Sequence, residues 1–314
     1  MTAFGFQWHI TNRCNQHCAH CYQTDFSALG EPSLSDLRHL WNSLQQGLEN
    51  RPIHVNLTGG EPFLHPSFMK LLCCLDASPS LAEMHIITNG TAATDEQLRA
   101  LQSLGRLASV KVSLESADPH TNDRIRGRGN LDRVCDGIER LRRNTGKDVV
   151  LMMTLSKDNL HDIDGMVRFC RTRDVRGLIL ERFVPLGRGA GQKDRMLSPA
   201  DWQSVVSDVL RLSDSDQLPS EMTDWRAFRL SFENGEVALE GALCNLGDES
   251  MALMPDGTVY PCRRLPVPVG NAAREPFDAI LRRLASRCAQ THAGPDDPCL
   301  GCRALSAAIG RGYP

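Results

Sequence analysis

Phe4-Gly-Phe-Gln-Trp-His-Ile10-Thr-Asn-Arg-Cys14-Asn-Gln-His-Cys18-Ala-His-Cys21 begins as a strand and ends in three closely spaced thiols. Phe4, Phe6 and Trp8 alternate with Gly5, Gln7 and His9, the period-two pattern of a half-buried strand over Phe4–Ile10. Further apolar runs follow at Ile53–Leu57, Met84–Thr88, Val110–Leu114, Val149–Leu155 and Leu178–Phe183. Between them lie amphipathic stretches at Leu34–Leu48, Ser67–Leu75, Asp95–Leu104, Leu131–Arg143 and Leu160–Thr172. The first helix carries a start signal, Pro32-Ser33 with Asp36 three positions beyond the serine. Strand and helix in alternation predict parallel strands with right-handed crossovers. Six such units predict an α/β fold and point to an open six-stranded barrel more than to a flat sheet, two arrangements that spacing alone does not separate. Leu186–Pro199, rich in Gly and Arg, reads as a loop or linker. A helix over Pro199–Leu212 follows, then a weakly patterned stretch and a Cys- and Pro-rich end.

The 314 residues allow one large domain or two smaller ones. A net charge of −3, from 35 basic and 38 acidic residues, argues against general affinity for nucleic acid or an anionic membrane. No apolar run approaches the ~18 residues of a membrane span, and the N-terminus lacks the charged and apolar regions of a signal peptide. A cytoplasmic protein is expected. In a reducing compartment, twelve cysteines point to metal or redox chemistry rather than disulfides. Seven fall into two spaced sets. Of the rest, Cys73, Cys74, Cys135 and Cys170 lie on helix patterns and read as core or half-buried residues.

Cys14, Cys18 and Cys21, spaced Cys-x3-Cys-x2-Cys on a loop after the first strand, can converge on one metal centre. A [4Fe–4S] cube has four irons, so three local thiolates leave one iron open, as catalytic metal sites require. Two other readings stand beside this: a zinc site completed by His17 or His20, and an ordinary ferredoxin cluster, which wants a fourth Cys nearer than Cys73. The second strand ends in Thr58-Gly59-Gly60-Glu61-Pro62. Its glycines allow close approach of a ligand to the backbone, and Glu61 offers a carboxylate to an ammonium group. Both features sit at C-terminal strand ends, where barrel chemistry is found.

Together they resemble the radical SAM (S-adenosylmethionine) superfamily. The resemblance runs in order through Ile86-Ile-Thr-Asn89-Gly90, Val112-Ser113-Leu-Glu115-Ser116, Asp123-Arg-Ile-Arg126-Gly127 and Pro185-Leu-Gly187-Arg188, covering about residues 4–190. It implies a partial (β/α)6 TIM-type barrel and a cluster on Cys14, Cys18 and Cys21 whose open iron is chelated by SAM. Gly59, Gly60 and Glu61 match the motif that holds the methionine end, Tyr22 an aromatic position beside the adenine, and Ser113 and Glu115 positions facing the ribose. Arg126 is the expected carboxylate partner, with Asn89 and Arg182 as further positions. The implied reaction is one-electron cleavage of SAM to a 5′-deoxyadenosyl radical that takes a hydrogen atom from the substrate. A reductant such as flavodoxin or ferredoxin is the implied partner.

Cys244, Gly257-Thr-Val-Tyr-Pro-Cys262 and Cys299-Leu-Gly-Cys302 form the second set. Alone it reads as zinc or an iron cluster. A hairpin is expected where Met251–Leu253 and Thr258–Tyr260 flank Pro255-Asp256-Gly257. Beside the first set, this region resembles the SPASM/twitch extension of radical SAM enzymes, in its shorter form. It implies an auxiliary [4Fe–4S] cluster on Cys244, Cys262, Cys299 and Cys302, with Cys288 as an extra ligand or hydrogen donor. Two domains are expected: a barrel at 1–190, and a linker helix with a C-terminal auxiliary domain at 191–314.

Two substrate classes follow: a ribosomally made peptide matured by crosslink, thioether or epimerisation, and a carbohydrate or aminocyclitol that is oxidised or epimerised. The first rests on what such enzymes commonly do, and the expected lack of a separate N-terminal leader-binding module weighs against it. A third reading, from another class, is a non-catalytic iron–sulfur or zinc protein. The basic run Arg124, Arg126, Arg128 and Arg133 reads as a solvated helix start, and His9 as a hydrogen-bonded structural residue.

Overall fold

The computed structural model describes residues 3–49, 51–213, 215, 222, 225–242 and 251–290. Six parallel strands, β1 (Phe4–His9), β2 (Ile53–Thr58), β3 (Leu81–Thr88), β4 (Leu107–Ser113), β5 (Asp148–Leu155) and β6 (Gly177–Arg182), stand side by side in chain order. The crossovers carry α1 (Leu34–Gly47), α2 (Phe68–Asp76), α3 (Asp95–Ala100), α4 (Pro119–Arg126), α5 (Asn130–Thr145) and α6 (Ile163–Thr172). This is an α/β partial (β/α)6 barrel, as the alternation predicts. Ser33 caps α1 in a complete capping box with Asp36. The predicted helix over Asp95–Leu104 is instead α3 followed by a single 3-10 turn, Leu101–Ser103.

Each strand has two unlike faces. Phe4, Phe6, Trp8, Val55, Leu57, Ile86, Val110 and Val112 are buried in the apolar layer under the helices, where Trp8 stacks on Trp41 of α1 with ring centroids 6.3 Å apart. The opposite face is polar: His85 Nδ1 lies 2.8 Å from Ser109 Oγ, and Lys111 Nζ on β4 donates to Asn56 Oδ1 on β2 at 2.7 Å. That bond passes over β3. Neighbouring strands lie about 4.8 Å apart, so only a sheet curved toward this face brings β2 and β4 side chains together. Burial pushes Lys111 down to about 8 and His85 down to about 3.

Both edges of the barrel sheet are extended. After α7 (Pro199–Leu212), the antiparallel pair β7 (Ala227–Glu233) and β8 (Glu236–Ala242) adds to β6. The weak patterning of this stretch hid the hairpin, because β8 has mostly exposed side chains and little apolar alternation. The predicted second hairpin is present as β9 (Ala252–Leu253) and β10 (Thr258–Tyr260), followed by β11 (Gly270–Asn271). β9 joins β1 in parallel, pairing Gln7 with Ala252 and Trp8 with Leu253. A last helix, α8 (Phe277–Gln290), also missed by the sequence reading, lies against α1, with Phe277 on Gly47.

Gly137 of α5 packs closely on the loop that follows β3, where an added Cβ would stand 1.8 Å from the Gly90 carbonyl oxygen. Gly105, by contrast, has nothing within 4 Å. Urea unfolding should therefore show G137A destabilised by ~3 kcal/mol, the upper end of overpacking, and G105A unchanged or slightly stabilised. Equal midpoints for the two variants would contradict this packing.

Candidate active site

The loop carrying the three thiols is fixed by backbone contacts to the end of β2. Gly60 N donates to Thr11 O at 2.8 Å and Glu61 N to Arg13 O at 2.6 Å. A Cβ on Gly60 would lie 2.2 Å from Arg13 O, and one on Gly59 would lie 2.5 Å from Thr11 O. The close approach that makes these residues glycine is thus the chain's own Thr11–Arg13 backbone. Glu61 also departs from expectation. Its carboxylate is fully buried and accepts from Thr88 Oγ1 (2.8 and 2.9 Å), Asn89 N (2.7 Å) and Phe63 N (3.2 Å). Burial pushes it up to about 7, against the pull of those donors. It ties β2 to β3 and is not presented to an ammonium group. Asn89 in turn donates to Asn15 Oδ1 at 2.7 Å and approaches Cys14 Sγ at 3.8 Å.

The thiols share a local geometry. Gln16 N donates to Cys14 Sγ and Gln23 N to Cys21 Sγ, each at 3.4 Å. Cys18, nearly buried, meets Arg126 NH1 at 3.8 Å. Burial pushes the Cys14 thiol up to about 11 and raises Cys18, while Arg126 pulls Cys18 the other way. Among the described residues, no group of three or more His, Cys, Asp and Glu closes around a single metal ion. The proposed zinc partners are engaged elsewhere: His17 packs edge-on against Phe26, with centroids 4.5 Å apart, and His20 Nε2 lies 3.3 Å from Glu115 Oε1. The donor set suits a wider iron–sulfur cube better than one ion.

Glu115, expected to face the ribose, and Arg126, read with its basic run as part of a solvated helix start, form a buried pair. Arg126 donates from Nε (3.0 Å) and NH2 (2.5 Å) to Glu115 Oε1, and Thr154 N donates to Oε2 at 2.7 Å. Burial alone would push the Glu115 carboxyl up, but Arg126 and His20 outweigh it and hold it down at about 2. The basic run therefore divides: Arg126 is buried in α4, while Arg124, half exposed, pairs with Asp158 at 3.2 Å. Ser113 stands half-buried at the end of β4. Beside the pair lies a cavity of about 200 Å³, lined by Ala19, His20, Ile125, Thr154, Ser156 and Phe183 together with Arg124, Asp158, Gln192 and Arg195.

Tyr22 does not line this cavity. It faces the other way, its hydroxyl 3.4 Å from the Gly59 carbonyl and its ring 5.7 Å from His9. The cavity residue of the thiol loop is His20, which the sequence reading weighed only as a zinc ligand. Leu186–Pro199 is more than a linker: Gly189 N donates to Cys21 O at 3.1 Å and Gln192 Nε2 to Ala19 O at 2.8 Å, clasping the thiol loop from β6.

From the C-terminal side, Arg263 stacks on Tyr22 and Arg264 NH2 reaches Glu181 on β6 at 2.9 Å. The segment after Cys262 thus spans from the thiol loop to β6. Cys262 Sγ accepts from Arg264 N at 3.4 Å, the same two-residue geometry as Cys14 and Cys21. Cys244, Cys299 and Cys302 lie outside the described residues, as does the side chain of Cys288. His9 is buried with no partner for Nε2 among the described residues, and burial, then Arg263, holds it well below its usual range. Arg182, also buried, packs on Trp202 at 4.7 Å. Cys73 is exposed, contrary to the core reading, while Cys74 accepts from Arg38 at 3.0 and 3.2 Å. Cys135 is half-buried and Cys170 buried.

A sequence profile of the radical SAM superfamily matches residues 8–170. The chain belongs to this superfamily. A second profile, the SPASM iron–sulfur cluster-binding domain, matches residues 244–303 of this radical SAM chain. It is 26% identical to the AdoMet-dependent heme synthase of Methanosarcina barkeri, over 87% of this chain and 80% of that protein. It is 27% identical to the mycofactocin maturase MftC of Mycolicibacterium smegmatis over 81% of this chain. With the subtilosin biosynthesis protein AlbA of Bacillus subtilis it shares 25% over 87% of this chain. It spans only 63% and 58% of the latter two. The radical SAM chain also shares its fold with Streptococcus suis SuiB bound to precursor peptide SuiA (TM-score 0.69, 14% identity, 97% of this chain and 70% of that one). The likeness extends to anSMEcpe with bound AdoMet and a Cp18Cys peptide (TM-score 0.72, 14% identity, 98% and 88%). Membership brings a SAM-binding [4Fe–4S] cluster, S-adenosylmethionine itself and iron–sulfur binding by the C-terminal domain. No helix among the described residues is long and apolar enough to cross a membrane.

Two outcomes follow from this geometry. E61A leaves two backbone N–H groups unpaired and should cost ~2–3 kcal/mol in urea unfolding; a cost near zero would show that the carboxylate does not hold the loop. Because iron–sulfur assembly must displace protons from thiols raised by burial, reconstitution of the apoprotein should improve with pH from about 7 to 9. Visible absorbance of the cluster reports this, and a yield falling over that range would contradict it.

Proposed function

We propose that this chain binds a [4Fe–4S] cluster through Cys14, Cys18 and Cys21 and uses SAM to abstract hydrogen from a peptide. The product would be a ribosomally synthesised peptide carrying a crosslink, thioether or epimerised residue. The observation that carries the reading is the thiol loop itself. One short loop at the barrel mouth carries all three thiols, two on like N–H contacts and one on a buried guanidinium, and it borders a cavity of about 200 Å³. Three thiolates leave one iron of a cube open. When bound, the cluster supplies the electron that cleaves SAM to a 5′-deoxyadenosyl radical.

The chain's residues would do the rest. His20, Ile125 and Phe183 offer flat and apolar walls for the nucleoside, with Thr154 and Ser156 as polar contacts. Gly59 and Gly60 carry the methionine end, and Ser113 faces the ribose. Glu61, Asn89, Glu115 and Arg126 position the loop, and Tyr22 lines its other side. Cys262 would join Cys244, Cys299 and Cys302 on an auxiliary cluster, with residues 1–190 as the barrel unit and 191–314 as the auxiliary unit. Cys288 stays a candidate hydrogen donor, and flavodoxin or ferredoxin the class of reductant.

The peptide reading is supported by two like folds seen with peptides and by relatives named as a mycofactocin maturase, MftC, and a bacteriocin biosynthesis protein, AlbA. A second reading, oxidation of a non-peptide small molecule, is favoured by one observation: the match to the heme synthase spans 80% of that protein, more than either maturase match. Anaerobically reconstituted protein given SAM and dithionite should form 5′-deoxyadenosine and methionine in equal amounts, and the triple variant C14A/C18A/C21A should form none. A short peptide encoded beside the gene should lose two hydrogens, or take up deuterium from D2O if epimerised. An unaltered peptide alongside an oxidised tetrapyrrole would favour the second reading, and no 5′-deoxyadenosine at all would end both.

A further inference from the structure

Arg126 reaches two partners at once. Nε and NH2 bind Glu115 Oε1 at 3.0 and 2.5 Å, while NH1 stands 3.8 Å from Cys18 Sγ. Its side chain is 8% exposed and that of Glu115 is 0% exposed, so neither water nor salt screens them effectively. Glu115 is held from its far side by Thr154 N at 2.7 Å, with His20 Nε2 3.3 Å from the oxygen shared with Arg126. The guanidinium therefore touches both the thiol and the carboxylate, with the positive group next to the sulfur. The other thiols of the loop have neutral donors: Gln16 N and the Asn89 amide for Cys14, and Gln23 N for Cys21.

We propose that Arg126, aligned by Glu115, sets the reduction potential of the cluster on Cys18: the guanidinium raises it and the carboxylate partly offsets the rise. The inference rests on the assignment of that cluster to Cys14, Cys18 and Cys21. One-electron reduction adds negative charge to the centre. A cation on a ligand sulfur stabilises the added charge, an anion opposes it, and burial makes both effects large. Because Arg126 stands nearer the sulfur than Glu115 does, the pair as a whole favours reduction. Arg126 is here a positioning residue: it acts on the electron-accepting centre through a ligand, and no bond is made or broken at the guanidinium.

The test is an EPR-monitored redox titration of the reconstituted holoprotein without SAM. The relevant signal is identified by its change when SAM is added afterwards. Four proteins should give potentials in the order E115Q, wild type, R126Q/E115Q, R126Q, from highest to lowest. R126Q should lie at least tenfold below wild type in the reduction equilibrium, about 59 mV for one electron. R126K, which keeps the charge, should stay near wild type. Coincident potentials for wild type, R126Q and E115Q would overturn the proposal, as would R126K falling as low as R126Q. Should R126Q fail to load iron, E115Q and R126K decide: an E115Q potential at or below wild type overturns it. A wild-type protein that loads no iron on the three thiols would instead defeat the cluster assignment, a separate result.

Discussion

The carboxylate of Glu61 is the joint on which the mouth of this barrel depends. It leaves the end of β2 and accepts from three donors, the Thr88 hydroxyl shared between its two oxygens and the N–H groups of Asn89 and Phe63, while its own N–H holds Arg13 O in the thiol loop. Two parallel strands and the loop that precedes them are thereby locked at one point. A buried carboxylate is tolerated only when its acceptor capacity is filled, and here the donors come from two places, the turn just after Glu61 and the end of β3. Losing any one of them would leave charge or N–H groups stranded, so the arrangement is all-or-none.

Around that joint, charge is arranged by depth. The polar concave face carries Lys111, His85 and Asn56 within the curve of the sheet, whereas the convex face is apolar and seals against the helices. At the mouth, Glu115 and Arg126 neutralise one another beside Cys18. A buried ion pair is weak evidence for stability, since desolvation offsets most of the attraction. Its observed place is beside the Cys18 thiol, where the guanidinium stands 3.8 Å from the sulfur. Two segments far apart in the chain close the mouth: Gly189 and Gln192 clasp the thiol loop, and Arg263 and Arg264 reach Tyr22 and Glu181 from the C-terminal region.

The motifs proved easier to locate than to interpret. Gly59 and Gly60 were legible as positions of close approach, but the approaching group is Thr11–Arg13 backbone, which spacing cannot reveal. Glu61 and Glu115 were legible as carboxylates at strand ends, yet each turns inward to partners 27 and 11 residues away. Tyr22 follows the last thiol, but the loop's turn directs His20 to the cavity and Tyr22 to Gly59. The β7–β8 pair escaped notice because exposed antiparallel strands lack the apolar run that marks a buried parallel one.

By itself, the sequence determined the alternation of strand and helix, the three-thiol spacing, the capped first helix and the second hairpin, because these are written in local periodicity and in residues close along the chain. Only the tertiary structure decided which side chains face the cavity, that Arg126 bridges Cys18 and Glu115, and that residues 187–192 and 262–264 close the mouth. Those outcomes depend on curvature of the sheet and on donors meeting acceptors across long sequence separations, and no local pattern encodes where a buried polar atom will find its partner.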